Sequence, residues 1–237
     1  MDKTLVVIPT YNESKNIEKL LNELNKINLD ILVVDDNSPD QTSKLIKNNS
    51  NFNNSIFIIE RPKKMGLGSA YREGFNWAIK NKYEFIAQMD ADFSHRIVDL
   101  SKLLSFKEDF GLVLGSRYVE GGRTDGWNIR RKLLSKYANI VTNYVTSSNI
   151  GDMTSGFRVY NREALEKVDF STTETDGYSF QIEMNFRAWI KGFKLVEHPI
   201  IFIDRTIGQS KMSRKIMFEA IWMVWRLRIW RIFGWNK

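Results

Sequence analysis

Asp90 and Asp92 stand two residues apart at the end of the apolar run Phe85-Ile86-Ala87-Gln88-Met89. On extended backbone, side chains at i and i+2 face the same way, so both carboxylates can meet one cation. Two carboxylates with diphosphate oxygens suit Mg2+ or Mn2+, and such an ion neutralises a departing diphosphate. An isolated Asp-x-Asp is more often a solvated turn; the company this pair keeps is what separates it from one. Pro9-Thr10-Tyr11-Asn12-Glu13 closes the apolar run Leu5-Val6-Val7-Ile8, and Asp35-Asp36 closes Ile31-Leu32-Val33-Val34. Asp36 can accept hydrogen bonds from a base or a ribose; equally, Asp35-Asp36 can build a turn, with Ser38 or Asp40 capping the next helix. Tyr11 and Glu13 could flank a base and its ribose.

Phosphate-binding candidates come later in the chain. Arg117 sits in Gly115-Ser116-Arg117-Tyr118-Val119-Glu120-Gly121-Gly122, Arg130 and Arg131 open a helical stretch, and Arg205 and Lys211 flank Gly208. Guanidinium groups bind phosphate through paired hydrogen bonds. As a set these residues could hold two phosphates, one on a donor and one on an acceptor. Gly66-Leu67-Gly68 is half of a dinucleotide fingerprint, but the position for its third glycine holds Tyr71, which favours a tight strand-to-helix connection over hydride transfer. His95 and His198 are the only histidines, which gives a serine–histidine triad little support, and cysteine is absent. His95, close to the aspartate pair, has either a supporting or a plain packing role.

The elements that position these residues follow from periodicity. Apolar runs at 5–8, 31–34, 56–59 and 85–89 read as buried strands. Ile17, Leu20, Leu21, Leu24 and Ile27 place an amphipathic helix over 14–27, with further helices near 40–47 and 66–80. Strands alternating with helices predict a parallel sheet covered on both faces, so the three strand-end motifs share one edge, where ligands of such sheets bind. Beyond Gly115 the pattern predicts helices near 130–147, 161–167, 178–190 and 212–233, and short strands near 156–160 and 194–204.

With 43% hydrophobic and 27% charged residues the chain has the composition of a folded globule, not of a disordered one. Residues 211–237 carry seven basic side chains against Glu219 alone, which makes +6 of the net +7, along with four of the seven tryptophans. A basic face for nucleic acid would spread over the body, so no nucleic-acid partner is expected. A basic, Trp-rich helix points to an anionic membrane surface or to packing on the body or on a second subunit. No secretory signal and no membrane span is read, which makes a cytoplasmic protein, peripheral on the cytoplasmic face of a membrane, the expectation.

Taken in order, VVIPTYNESKNI, ILVVDDNSPDQT, MGLGSAYREGF, MDADFSH, LGSRYVEGG, RRKLLSKYAN, DMTSGFRVY, DGYSFQIEM and SKMS, within 5–213, resemble the dolichyl- and polyprenyl-phosphate mannosyltransferases of the inverting GT-A glycosyltransferase class. The resemblance implies a single GT-A domain over 1–210, with a nucleotide-sugar half at 1–110 and an acceptor half at 111–210, followed by an amphipathic helix at 211–237. It implies GDP-mannose as donor, dolichyl or polyprenyl phosphate as acceptor, and Mg2+ or Mn2+. It places Pro9, Tyr11, Glu13, Val34 and Asp36 around the nucleoside, makes Asp90 and Asp92 metal ligands, and sets Ala91 in the donor site. Ser94 falls where some relatives carry a metal-binding Gln. Arg117, Arg131 and Ser135 fall where relatives hold phosphate groups near the acceptor, and Arg205 and Lys211 lie on a loop that closes over the diphosphate. Asp90, Asp92, Arg117, Arg205 and Lys211 carry the catalytic expectation.

Relatives often have proline two residues after the Ser-His pair, where this chain has Ile97, so the loop after the aspartates is reshaped without losing a ligand. Many relatives continue into transmembrane helices; the chain resembles the short members, which reach the membrane through a tail or a partner, and a membrane-protein partner or a homo-oligomer is expected. An ionised phosphate acceptor needs no general base. Two other readings stay open: the same fold with UDP-glucose or a polysaccharide acceptor, and a catalytically idle subunit that binds a membrane or a partner.

Overall fold

The computed structural model describes residues 3–173, 175, 177–204 and 214–234. In chain order the elements are β1 (Thr4–Thr10), α1 (Ser14–Asn25), β2 (Asp30–Asp35), α2 (Thr42–Lys47), β3 (Ile56–Glu60), α3 (Leu67–Lys80), β4 (Phe85–Gln88), α4 (Ile97–Leu104), β5 (Leu112–Ser116), β6 (Arg123–Asp125), α5 (Ile129–Thr146), β7 (Arg158–Asn161), α6 (Arg162–Val168), α7 (Gly177–Ile190), β8 (Leu195–Pro199), β9 (Ile201–Ile203) and α8 (Arg214–Phe233).

The main sheet has the order β3-β2-β1-β4-β7-β5-β8 and is parallel except at β7; β6 and β9 form a separate parallel ribbon. Alternation along β1 divides the core. Val6 and Ile8 join Ile17, Leu20 and Leu100 on one face, whereas Leu5 and Val7 join Ala70, Phe75 and Phe180 on the other. Burial on both faces explains why these strands read as unbroken apolar runs. A Cβ at Gly74 would collide with Val7 Cγ1, so α3 crosses the sheet too closely there for any side chain. The strand order reverses between β1 and β4, so the crevice beyond their carboxyl ends lies at the switch point of the sheet.

Two features depart from the sequence reading. β7 runs antiparallel, with Arg158 opposite Gln88 and Asn161 opposite Phe85. A strand of four residues carries no directional signal, and re-entry from the crevice edge needs no crossover helix. The reversal places residues 152–157 at the crevice. The short α4 was not anticipated; its first turn is held by Arg96 donating to Asp99 at 2.8 and 2.6 Å.

The terminal helix is not a free tail. Met223, Val224 and Leu227 of α8 are buried against Ile182 and Phe186 of α7 and Leu114 of β5. Arg228 donates to Ser147 Oγ at 2.7 Å, and Arg231 donates to the Thr146 carbonyl at 2.8 Å. Two of the arginines expected to face an anionic surface therefore meet the carboxyl end of α5, where cations are favoured. Apolar side chains occupy the outward side as well, including Trp222, Trp225, Ile229 and Phe233, so α8 is apolar on both its packed and exposed sides and not simply amphipathic. Among the described residues no helix is long and apolar enough to cross a membrane.

Candidate active site

The first two strand-end motifs are cross-linked. Backbone N–H groups of Asn12, Glu13 and Ser14 donate to Ser38 Oγ, Thr42 Oγ1 and Asp40 Oδ2 at 2.9, 3.0 and 2.9 Å. Asp36 N–H donates to the Thr10 carbonyl at 3.0 Å, and Thr10 Oγ1 donates to Asp35 Oδ1 at 2.6 Å. Asp35 also accepts from the Ser38 N–H and hydroxyl, which gives it the turn-building role. Asp40 accepts from Thr42, so α2 starts two residues later than periodicity alone predicts.

Asp36 is a hub. It forms a buried ion pair with Arg61 and accepts from the N–H groups of Met65 and Gly66, both at 3.1 Å. Arg61 donates in turn to Ser69 Oγ at 2.7 Å and the Gly66 carbonyl at 2.9 Å. The carboxylate thus fixes the loop that brings Lys64 to the rim, with its ammonium 4.1 Å from the centre of the Tyr11 ring. Gly66, at φ 99°, makes the tight entry into α3.

The aspartate loop follows β4. His95 is 3% exposed, and its ring stacks on Phe157 with centroids 4.4 Å apart. Its Nδ1 accepts the Asp90 N–H at 3.1 Å, and burial lowers its pKa to about 4, so the ring is neutral and acts as an acceptor here. Both readings of His95 hold at once: it packs, and it supports the backbone of Asp90. Tyr71, the residue in place of a third glycine, is buried with its hydroxyl 3.4 Å from Asp90 Oδ1. Burial first, then the Asp90 charge, pushes the phenol well above its usual range, so it stays a protonated donor. Asp92 Oδ1 accepts the Ser94 N–H at 3.0 Å.

Asp90 and Asp92 line a cleft of about 390 Å³ with Pro9, Tyr11, Glu13, Asp36 and Ala91. Arg117 and Arg131 line the same cleft. Arg117 is held by Asp152 through Nε and Nη2, both at 2.7 Å, and donates to Thr154 Oγ1 at 2.7 Å. Arg131 donates to Asp204 at 2.9 and 3.1 Å, with its guanidinium 4.0 Å from the centre of the Trp127 ring. Ser135, one turn further along α5, accepts from the Tyr118 hydroxyl at 2.6 Å.

Two expected site residues lie behind the wall. Val34 is fully buried and packs in the core beneath α3, so its side chain does not reach the cleft. Ser94 is 1% exposed, and its hydroxyl has no hydrogen-bond partner among the described residues. Arg205 and Lys211 lie outside the described residues. The sequence reading passed over Arg61, Lys64, Tyr71, Asp152 and Gln181. Gln181 lines the cleft, and its Oε1 accepts from Gln88 at 2.7 Å and Arg158 at 2.6 Å. The signal available for Asp152 was its place in DMTSG, at the start of a motif already noted.

Among the described residues no three acidic or histidine side chains converge as a metal site. The donors the cleft presents are the two carboxylates, with Ser94 behind the wall and His95 Nδ1 already occupied. This set fits a hard divalent ion that takes the rest of its shell from a diphosphate and water.

The sequence profile of glycosyl transferase family 2 matches residues 5–169, a span holding the aspartate loop, Arg117, Arg131 and Asp152. The chain belongs to that family. Similar curated proteins include the polyprenol monophosphomannose synthase of Mycolicibacterium smegmatis, 42% identical over 95% of this chain and 88% of that one. The undecaprenyl-phosphate mannosyltransferase of Micrococcus luteus is 38% identical over 92% of this chain and 91% of that one. Among solved structures, glucosyl-3-phosphoglycerate synthase from Mycobacterium tuberculosis, in complex with Mn2+, UDP-glucose and phosphoglyceric acid, superposes with a TM-score of 0.69 at 15% identity. It covers 96% of this chain and 80% of its own, and at that identity the likeness concerns the fold alone. The glycosyltransferase carries the GT-A α/β architecture, with its cleft at the switch point.

Proposed function

We propose that this glycosyltransferase moves mannose from GDP-mannose to dolichyl or polyprenyl phosphate with inversion, giving polyprenyl-phosphate mannose. The observation that carries the reading is one cleft lined both by an aspartate pair suited to a nucleotide diphosphate and by two arginines suited to a second phosphate. The whole-length similarity to two prenyl-phosphate mannosyltransferases supports the choice of sugar and acceptor.

In this reading Tyr11, Glu13 and Asp36 border the nucleoside, and Asp90 and Asp92 hold Mg2+ or Mn2+. When bound, the ion supplies neutralising charge for the departing diphosphate. Arg117, Arg131 and Ser135 hold the acceptor phosphate, whose oxygen attacks the anomeric carbon while the bond to the diphosphate breaks. The phosphate arrives ionised, so no proton need be removed and no general base is assigned. Arg205 and Lys211 are assigned to the diphosphate.

Residues 1–110 then form the donor half, 111–210 the acceptor half and 211–237 the basic Trp-rich segment that includes α8 and faces the membrane. Outward Tyr137, Ile140 and Tyr144 of α5 and Trp222, Trp225 and Phe233 of α8 form an apolar surface of the kind that docks on a bilayer. Attachment to the cytoplasmic leaflet follows from that surface together with the basic tail.

Labelled GDP-mannose, polyprenyl phosphate and Mg2+ or Mn2+ incubated with the protein give a labelled lipid. Absence of lipid product from folded protein, across several acceptor lengths, refutes the reading; labelling only from UDP-glucose moves it to the other donor.

A further inference from the structure

Arg158 of β7 is fully buried, and among the described residues its hydrogen-bond partners are all neutral. It donates to the Tyr160 hydroxyl at 2.8 Å, to the Ser155 carbonyl, and to Gln181 Oε1 at 2.6 Å. A buried guanidinium among neutral partners is costly, so its place calls for a function. The bond to Gln181 supplies one. A guanidinium has donors only, so the Gln181 amide must turn its oxygen toward Arg158. Gln88, opposite Arg158 on β4, donates to the same oxygen at 2.7 Å. With two donors on Oε1, the amide cannot turn over, and Nε2 points the other way.

That way lies the cleft. Gln181 of α7 lines it beside Ser155 and Gly156. A Cβ at Gly156 would stand 2.9 Å from Nε2, so the glycine is what leaves the group open. Gln181 is buried, and among the described residues its Nε2 has no hydrogen-bond partner.

The position of the amide selects what it meets. On one side, Gln88 bonds the Tyr71 hydroxyl, which reaches Asp90. On the other, Ser155 follows Thr154, whose hydroxyl accepts from Arg117. Gln181 thus stands between the groups assigned to the diphosphate and those assigned to the acceptor phosphate. What lies between the two phosphates during transfer is the sugar, which offers hydroxyls and no charge.

We infer that Arg158 and Gln88 lock the Gln181 amide so that Nε2 donates to one hydroxyl of the transferred sugar, a role that rests on the donor and acceptor assignments above. Gln181 is then a sugar-specificity residue, and Arg158 its positioning residue. A neutral donor suits the place, because it orients a hydroxyl without the phosphate affinity of a cation. A sugar lacking that hydroxyl leaves the amide unpaired and loses about ten- to a hundredfold in kcat/KM.

The test uses GDP-mannose and four analogues, lacking in turn the mannose hydroxyl at C2, C3, C4 or C6. Gln181→Met lowers kcat/KM about ten- to a hundredfold for GDP-mannose and three of the analogues. For the fourth, which lacks the bonded hydroxyl, it changes kcat/KM less than about twofold. Arg158→Gln, which accepts as well as donates and so frees the amide to turn, gives the same pattern as Gln181→Met. Arg158→Lys, a donor only, keeps the wild-type pattern. GDP, which carries no sugar, binds each variant with affinity within about twofold of wild type, and its thermal shift reports that the variant is folded. For Gln181→Met, an equal loss with all five donors, no loss with any, or a loss of GDP affinity overturns the inference and leaves the transfer reaction standing. Equal patterns for folded Arg158→Gln and Arg158→Lys overturn the positioning role. If the wild-type protein transfers nothing from GDP-mannose, the donor assignment itself falls, and this role with it.

Discussion

Replacing Asp152 by Asn removes a charge from the interior while keeping the side chain's shape. Asp152 is fully buried and accepts from the Arg117 backbone N–H at 3.0 Å and from its guanidinium at 2.7 Å twice, while Arg117 is 7% exposed. The aspartate is itself positioned by Glu197, which accepts the N–H groups of Gly151 and Asp152 at 2.6 and 2.9 Å. Removing one partner of a buried pair leaves an uncompensated charge and costs about 3–5 kcal/mol, whereas removing both is far milder. Asp152→Asn is therefore expected to lose about 3–5 kcal/mol of unfolding free energy, and to lose only about 1 kcal/mol when Arg117 is already Met. In urea, the single change moves the unfolding midpoint down by about 1–2 M. A loss below about 1 kcal/mol, or an equal loss in both backgrounds, would refute the claim that Asp152 is what holds Arg117 in the wall of the cleft. In the folded fraction, acceptor KM should rise more than donor KM, since Arg117 is assigned to the acceptor phosphate.

The remaining expectations concern the cleft and the outer surface. His95 has a native pKa of about 4 against about 6.5 unfolded, so the unfolded chain binds a proton that the native one refuses. Its contribution is complete above pH 6.5 and is lost as pH falls toward 4, reaching about 2 kcal/mol at pH 5. His95→Asn, which can still accept the Asp90 N–H, should shrink the difference in urea stability between pH 7 and pH 5 by that amount. Asp90→Asn and Asp92→Asn should each lower turnover by about 10²–10³-fold and raise the Mg2+ or Mn2+ concentration needed for half-maximal rate, with an unchanged metal titration counting against the ligand assignment. Trp222→Glu with Phe233→Glu should weaken sedimentation with anionic vesicles at least about tenfold while transfer to a short soluble acceptor persists; equal vesicle binding would show that this side of α8 does not meet lipid.

The first half of the molecule was legible because its signals are local. Ile17, Leu20, Leu21 and Leu24 announce α1 by spacing alone, and the strands of the switch point are continuous apolar runs with polar ends. The same locality places Tyr11, Asp36, Asp90 and Asp92 at one edge of the sheet. What stayed hidden acts across sequence distance or by direction. Asp152 meets Arg117 from 35 residues away, and nothing in its type distinguishes it from a surface aspartate. Tyr71 looked like a failed glycine and proves to be a buried donor beside Asp90. Val34 packs beneath α3 although alternation would put it on the face of Asp36, because the strand ends at Asp35 and Asp36 already lies in the turn. In α8 the composition was plain, but spacing could not show that Arg228 and Arg231 engage α5.

The cross-link between the β1–α1 and β2–α2 loops has a consequence for motion. The amides of Asn12, Glu13 and Ser14 are each held by a side chain from a loop more than twenty residues away. None can exchange its hydrogen with solvent unless the two loops part. The three amides should therefore exchange at one common rate, slowed together, as a single cooperative unit. The side of the cleft that carries Tyr11, Glu13 and Asp36 then opens as one piece, and a ligand entering there meets a rim that is already assembled.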